Sequence, residues 1–427
     1  MIQEIKVKNF LSFKDEVTFS FEATRDTFAE DYQVVEVAPG VRLLRFAMVY
    51  GANASGKSNL LSIFQFLTSF WRFQPQSVEV GTEVVPFILD AETPNRPSEF
   101  ELIFYVGSTK YWYQLSLKKQ AVLSEKLYYY TSVQPTMLLD RKLENDQSVI
   151  RYGAPVKLSA YEKEKISVEC LKNMSFFVAR NKVNVSLPEI DDAMQWISRQ
   201  IMPVVLPQTM MFEFAEGYIA SDDKLRMHLL DFLKQADFNI SGVNSEIIKE
   251  KIPEYYLNIF LNNDTISDSE KERLMNEKTV PRYNTIFEHT IAGNEKSLKY
   301  YLPKDYESLG TLRTLGLETA IYDTQKNNAV LAIDDLHTHR LIHIKSLLHL
   351  RFLAGCLRCR QSIQRFDRNP DRLTAEVVGI DQTEPTREAA EQLARATIFE
   401  RGSRLIVKAH DFGARELLAL EQGLEAP

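Results

Sequence analysis

Three cysteines in 427 residues, Cys170, Cys356 and Cys359, are too few for a disulfide framework. That excludes the small stapled scaffolds of secreted proteins and fits a reducing compartment. No apolar run reaches the length a bilayer demands, and the opening MIQEIKVKNF carries charge where a signal peptide needs an apolar centre. A cytoplasmic protein without a membrane span is therefore expected. Excess positive charge is also missing. The net charge is −7, so any nucleic-acid contact requires a local basic patch or a partner. The middle of the chain lacks a sustained heptad run, which argues against a tethering coiled coil and for a compact body. Internal repeats and low-complexity tracts are absent as well.

What is present begins with strand signals. Apolar residues alternate through Ile2, Ile5, Val7, Phe10, Phe13, Val17, Phe19 and Phe21 around Lys14-Asp15, which predicts a β-hairpin. An apolar run at 41–50 reads as a strand, and residues 58–71 read as an apolar helix. Further strands are predicted at 84–89, 100–106, 111–117 and 126–130. A second hairpin is expected over 283–302, turning at 292–295, then a helix over 311–324 and a buried strand at 329–333. The implied organisation is an N-terminal lobe at 1–134, a mixed and mostly helical insertion at 135–280, a C-terminal lobe at 281–336, and a tail at 337–427.

Between the first strand and helix lies Gly51-Ala52-Asn53-Ala54-Ser55-Gly56-Lys57-Ser58. Gly-x-x-x-x-Gly-Lys-Ser needs its glycines because backbone N–H groups must close around phosphate oxygens, which a Cβ would obstruct. The following helix aims its positive end at the same phosphates. Lys57 then supplies a point charge to the β/γ-phosphates, and Ser58 presents a hydroxyl to Mg²⁺. Gly51, Asn53, Ser55, Gly56, Lys57, Ser58 and Asn59 are the candidate ATP contacts. The competing reading, a glycine turn with no ligand, leaves the strand before and the helix after unexplained.

A second acid-bearing strand completes such a site. Val330-Leu331-Ala332-Ile333 ends in Asp334, which would hold Mg²⁺ together with Ser58, and Asp335 follows as the group that could polarise an attacking water. Alone, four apolar residues and an acid are a weak pattern, and the loop at 51–58 gives them their meaning. Tyr306-Glu307-Ser308-Leu309-Gly310-Thr311 precedes the helix at 311–324, so Ser308, Gly310 and Thr311 form a second anion-attracting helix start or an ordinary N-cap.

Taken in order, these pieces resemble the ABC-type ATPase heads of the SMC, RecF and RecN class. They most resemble bacterial AAA-domain proteins related to the OLD and RloA families, often encoded beside a nuclease in phage defence. The matching stretches are Ile5-Lys6-Val7-Lys8-Asn9-Phe10-Leu11-Ser12-Phe13, Tyr50 through Asn59, Glu307-Ser308-Leu309-Gly310-Thr311 and Ala332-Ile333-Asp334-Asp335. The resemblance covers about residues 1–336. It implies an α/β P-loop NTPase fold, an ABC-type head with a mostly helical insertion. It also implies that two heads sandwich ATP and Mg²⁺, with Ser308, Gly310 and Thr311 of one chain completing the γ-phosphate site on Lys57 of the other. ATP then acts as dimer glue and hydrolysis as release. A homodimer or higher oligomer, a nuclease partner and an ATPase activity follow from the resemblance, with direct action on DNA as the alternative. Asp335 stands where the family usually has Glu, so its shorter arm implies slower turnover.

The tail departs from the pattern. Every tyrosine precedes residue 323, Lys408 is the only lysine after Lys345, and eleven arginines fall between Arg351 and Arg415. Family members continue with a Ser-Leu-His-Pro-like segment and a later strand ending in a γ-phosphate-sensing His. Here Leu336-His337-Thr338-His339-Arg340-Leu341-Ile342-His343 follows, and three readings stay open. In a divergent native tail, Arg404 through Ala409 is the late strand and His410 the switch, with only 17 residues beyond it. In a shifted reading frame, back-translation of residues 339–343 permits Ser, Leu, His and Pro in that order. A separate new domain is the third. Cys356 and Cys359 with His343 and His349 could ligate zinc, though unpaired thiols fit the spacing better. Arg340, Arg351, Arg358, Arg360, Arg365, Arg368 and Arg372 could meet phosphate backbones if the tail is folded, while a solvated or disordered tail is the favoured reading.

Overall fold

The computed structural model describes residues 1–25, 27, 30–50, 54–235, 239–261, 267–292, 297–334, 363–365 and 404–408. These residues make two compact units: 1–207 with the segments after 322, and 208–322. The break points therefore fall at 207 and 322 rather than at 134 and 280.

In the first unit, β1 (Ile2–Lys8) and β2 (Val17–Ser20) form the antiparallel hairpin that the alternation requires. A short helix α1 (Glu30–Gln33) leads to a ribbon of β3 (Val34–Ala38) and β4 (Val41–Leu44). The apolar run at 41–50 is not one strand. It breaks at Arg45, whose N–H donates to the Gln33 carbonyl, and resumes as β5 (Phe46–Tyr50) ahead of helix α2 (Lys57–Phe70).

A meander follows: β6 (Ser98–Val106), β7 (Thr109–Leu117), β8 (Val122–Tyr130), β9 (Pro135–Glu144) and β10 (Gln147–Tyr152). Together with the first hairpin it makes a seven-stranded antiparallel sheet, ordered β10-β9-β8-β7-β6-β1-β2. Residues 135–152, assigned above to a helical insertion, thus extend this sheet. The reason is alternation: Tyr111, Tyr113, Leu115 and Leu117 point inward from β7, and Leu139 and Arg141 continue that face on β9. Residues 84–89 alternate too, yet form no strand. Their backbone is taken up by the loop at Asn9, with Leu11 N–H donating to the Val85 carbonyl and Phe87 N–H to Asn9 Oδ1.

Helices α3 (Ala160–Glu169), α4 (Phe176–Asn181) and α5 (Pro188–Gln200) share the core of that sheet with α2. Phe104 stacks on Trp196 at 4.6 Å, Tyr113 on Phe177 at 5.8 Å, and Trp71 meets Tyr113 edge-on at 5.5 Å. Inside this apolar layer sits one ion pair, Arg141 to Glu125 at 3.0 Å, with both side chains fully buried. Tyr113 Oη, Ser175 Oγ and Phe176 N–H donate to the Glu125 carboxylate, while Arg141 donates to Ser148 Oγ and the Leu171 and Met174 carbonyls. Sheet strands β8 and β9 are thereby fastened to the 171–176 segment. Burial pushes the neighbouring Cys170 thiol up, which keeps it uncharged.

The second unit contains α6 (Met211–Ser221), α7 (Asp223–Gln235), β11 (Gly242–Lys251), α8 (Glu254–Leu261), α9 (Asp268–Glu277), β12 (Thr279–Ala292) and β13 (Ser297–Pro303). The strands pair antiparallel in chain order, so the predicted second hairpin is β12–β13. Phe212, Ala215 and Ile219 of α6, Leu225, Leu229 and Leu233 of α7, and Phe287 and Leu315 fill its core. Helix α10 (Leu309–Lys326) starts here and ends in the first unit.

Then β14 (Val330–Ile333), β15 (Ile363–Arg365) and β16 (Arg404–Lys408) join β5 in a parallel sheet, ordered β14-β16-β5-β15. Residues 201–205 extend it alongside β14: Ile201 bridges to Val330 and Val205 to Ile333, both parallel. A parallel sheet flanked by α2 beside an antiparallel sheet is an α/β architecture.

Candidate functional site

The loop between β5 and α2 begins at Gly51, Ala52 and Asn53, which lie outside the described residues. Its second half is described. Ala54 has φ of 62° and Gly56 of 95°, left-handed values that only glycine adopts without strain. Gly56 precedes α2 and supplies no side-chain cap to its first turn. A Cβ on Gly56 would lie 2.9 Å from Ser12 Oγ and 3.6 Å from the Phe13 ring. Thus the loop after β1 floors the glycine loop. That loop is itself set by buried Asn9, whose amide donates to the Thr93, Arg96 and Pro97 carbonyls.

Lys57, only 6% exposed, opens the helix where the summed peptide dipoles favour an anion. Ser58 and Asn59 follow in the same turn, both half-buried. Ser55 Oγ is buried with no hydrogen-bond partner among the described residues. A buried hydroxyl in that position is satisfied by an incoming acceptor. The cradle that a Cβ would fill, the buried hydroxyl and the buried cation all fit a phosphate group.

Across the sheet, Val330 to Ile333 are fully buried and lead to Asp334, 7% exposed. Its strand end is fixed by residues 202–205. Met202 N–H donates to the Val330 carbonyl, Val205 N–H to Ala332, and Asp334 N–H back to Val205. This clamp was not foreseen, because 201–205 is too short and too irregular to read as a strand. Since Ile333 lies level with Val407, and Val407 with Met48, β14 and β5 run out of the same carboxyl edge. One strand separates them, a spacing of roughly 10 Å. The structure therefore brings the start of α2 and Asp334 to one edge of one sheet, where α/β folds bind ligands. Asp335 and His410 lie outside the described residues, as do Cys356, Cys359, His343, His349 and the arginines at 340, 351, 358, 360, 368 and 372. Among the described residues, no group of three or more His, Cys, Asp or Glu is arranged to hold a metal ion. No helix among them is long and apolar enough to cross a membrane.

In the second unit, Ser308 caps α10: its Oγ accepts from Thr311 N–H at 3.0 Å and lies 2.8 Å from Thr311 Oγ1. The capping reading is met locally, with Thr311 buried beneath. Around it, Tyr306 and Leu309 are 76% and 79% exposed, and a Cβ on Gly310 would meet only Ser308 Oγ. The approach to this turn is tied on both sides. Lys304 Nζ donates to both oxygens of the buried Glu216 carboxylate at 2.8 Å, and His289 Nε2 lies 2.6 Å from Glu307 Oε1. These anchors were missed from sequence, although a signal existed. Alternation along β12 sets His289 on the face of Thr285 and Phe287, both buried, where an ionisable side chain requires a partner.

Residues 46–166 match the family model described as "AAA domain, putative AbiEii toxin, Type IV TA system". The match starts on β5, spans the glycine loop and α2, and runs through the meander. No curated protein matches the chain. Among solved structures, the SMC head domain from Thermotoga maritima superposes with a TM-score of 0.34 at 10% identity, covering 96% of this chain and 89% of that one.

Proposed function

We propose that the chain is an ABC-type ATPase head that dimerises on ATP and serves as sensor and scaffold for a nuclease partner in anti-phage defence. The observation that carries the ATPase part is the shared carboxyl edge of β5 and β14, with the glycine cradle and Lys57 on one side and Asp334 on the other. Gly51, Asn53, Ser55, Gly56 and Asn59 line the phosphates, and Lys57 reaches the β/γ-oxygens. Ser58 and Asp334 would hold Mg²⁺, which when bound supplies positive charge to the phosphates. Asp335 orients and deprotonates the attacking water, and His410 senses the γ-phosphate. Ser308, Gly310 and Thr311 of a second copy close the site. The exposure of Tyr306 and Leu309 beside the Ser308 turn supports a face that meets another chain. The defence role rests on the resemblance to OLD- and RloA-type proteins and on the toxin–antitoxin description of the matching family. Direct action on DNA is the second reading, favoured by the arginines at 340–372.

Two measurements test this. In Lys57→Ala, calorimetry is expected to show no Mg-ATP binding, and retained micromolar affinity would place the nucleotide elsewhere. In Ser308→Arg, light scattering with a non-hydrolysable ATP analogue should show monomers that still bind nucleotide. An unchanged dimer fraction would sink the sandwich.

A further inference from the structure

We infer that His289 is a positioning residue for the Ser308 turn, linking the β12–β13 hairpin to the site that turn completes; this rests on the ATP-sandwich reading above. Ser308 sits on a surface turn, and a group that must meet a partner's γ-phosphate has to be held there before the partner arrives. The hydrogen bond to Thr311 sets the side chain within its own turn but does not set the turn against the rest of the unit. Two contacts do that. At the start of the segment, Lys304 is locked by Glu216, which also accepts from Thr285 Oγ1 of β12. Immediately before Ser308, the carboxylate of Glu307 receives the Nε2–H of His289 at 2.6 Å, with side-chain exposures of 8% and 19%.

Both ties run to the same strand. Thr285 and His289 lie on one face of β12, and β12 pairs residue for residue with β13, which itself runs into Lys304. Hairpin and turn thus form a closed loop whose last link is His289–Glu307. A short hydrogen bond between an imidazole and a largely buried carboxyl group has a defined direction. Without it, Glu307 and Ser308 hang from Lys304 on one side and the helix cap on the other. Displacement of the hairpin, where Tyr300 and Tyr301 are exposed, would then no longer be felt at Ser308.

The test compares His289→Ala, His289→Gln, Glu307→Gln and Ser308→Arg in the full chain, with Mg-ATP and its non-hydrolysable analogue. Monomer affinity for Mg-ATP should stay unchanged in His289→Ala. Its ATP-driven dimer fraction and kcat should fall, the latter by roughly tenfold to a hundredfold. His289→Gln, which keeps an N–H donor, should recover most of the loss, and His289→Ala with Glu307→Gln should cost no more than His289→Ala alone. Wild-type dimerisation and kcat in His289→Ala, with Ser308→Arg blocked, would overturn this inference and leave the sandwich standing. If Ser308→Arg also dimerises normally, the sandwich falls and this inference with it. Loss of monomer affinity in both His289→Ala and Glu307→Gln would mark the pair as structural and overturn the positioning role.

Discussion

Ser12 Oγ lies 2.9 Å from the point that a Cβ on Gly56 would occupy. The N-terminal hairpin loop and the phosphate loop, far apart in sequence, are therefore packed to the limit of a hydrogen atom. Gly56→Ala meets two obstacles: this contact, and a φ of 95° that alanine resists. We expect a stability loss of about 1–3 kcal/mol and loss of Mg-ATP binding. Adding Ser12→Ala should relieve only the steric part, so thermal melting should recover partway while binding stays weak. Full recovery of binding would show that backbone conformation at Gly56 is unimportant.

Glu125 and Arg141 give a second prediction. Glu125→Ala leaves the Arg141 guanidinium buried without its counter-charge, at a cost of roughly 3–5 kcal/mol. Glu125→Leu combined with Arg141→Met removes both charges and should cost clearly less than the single change. Chemical denaturation of the three proteins checks the order. Equal losses in single and double variants would mean the charges are not what the pair contributes.

For hydrolysis, Asp335→Asn is expected to bind ATP and retain it, because on the proposed reading Asp334 would still hold the metal while the water would lose its base. Turnover equal to the wild-type rate would remove Asp335 from the mechanism.

Hydrogen exchange addresses the tail. A central parallel strand shares both its edges, so the amides at 405–408 should be among the slowest to exchange. Near-immediate exchange there would take away the strand between β5 and β14 and favour the shifted-frame reading.

The described part of the candidate site was legible in the sequence because its constraints are local. Gly56 and Lys57 are recognisable from the chemistry of a phosphate cradle, and Asp334 from four buried residues that end in an acid. The first hairpin and β6 to β8 were readable from period-two alternation. What escaped depended on distant partners. Residues 84–89 alternate like a strand but give their backbone to Asn9 and Leu11. Residues 135–152 were assigned to the mostly helical insertion, whereas they form two strands whose inward face carries Arg141, and the Glu125 pairing makes an arginine tolerable there. The clamp of Val205 on Asp334 and the tie of His289 to Glu307 join segments that no short-range pattern connects.

The order of the parallel sheet has a consequence for synthesis. β5 is made first and β14 much later, yet the strand that lies between them is β16, made later still. Until residues 404–408 emerge, both neighbours carry an unmatched row of amides and carbonyls facing a slot one strand wide. Such open edges recruit any extended chain within reach. The nascent protein must therefore hold the middle of its parallel sheet open longest where it is most adhesive, and a strand-length peptide of sequence 404–408 should compete for that slot during refolding.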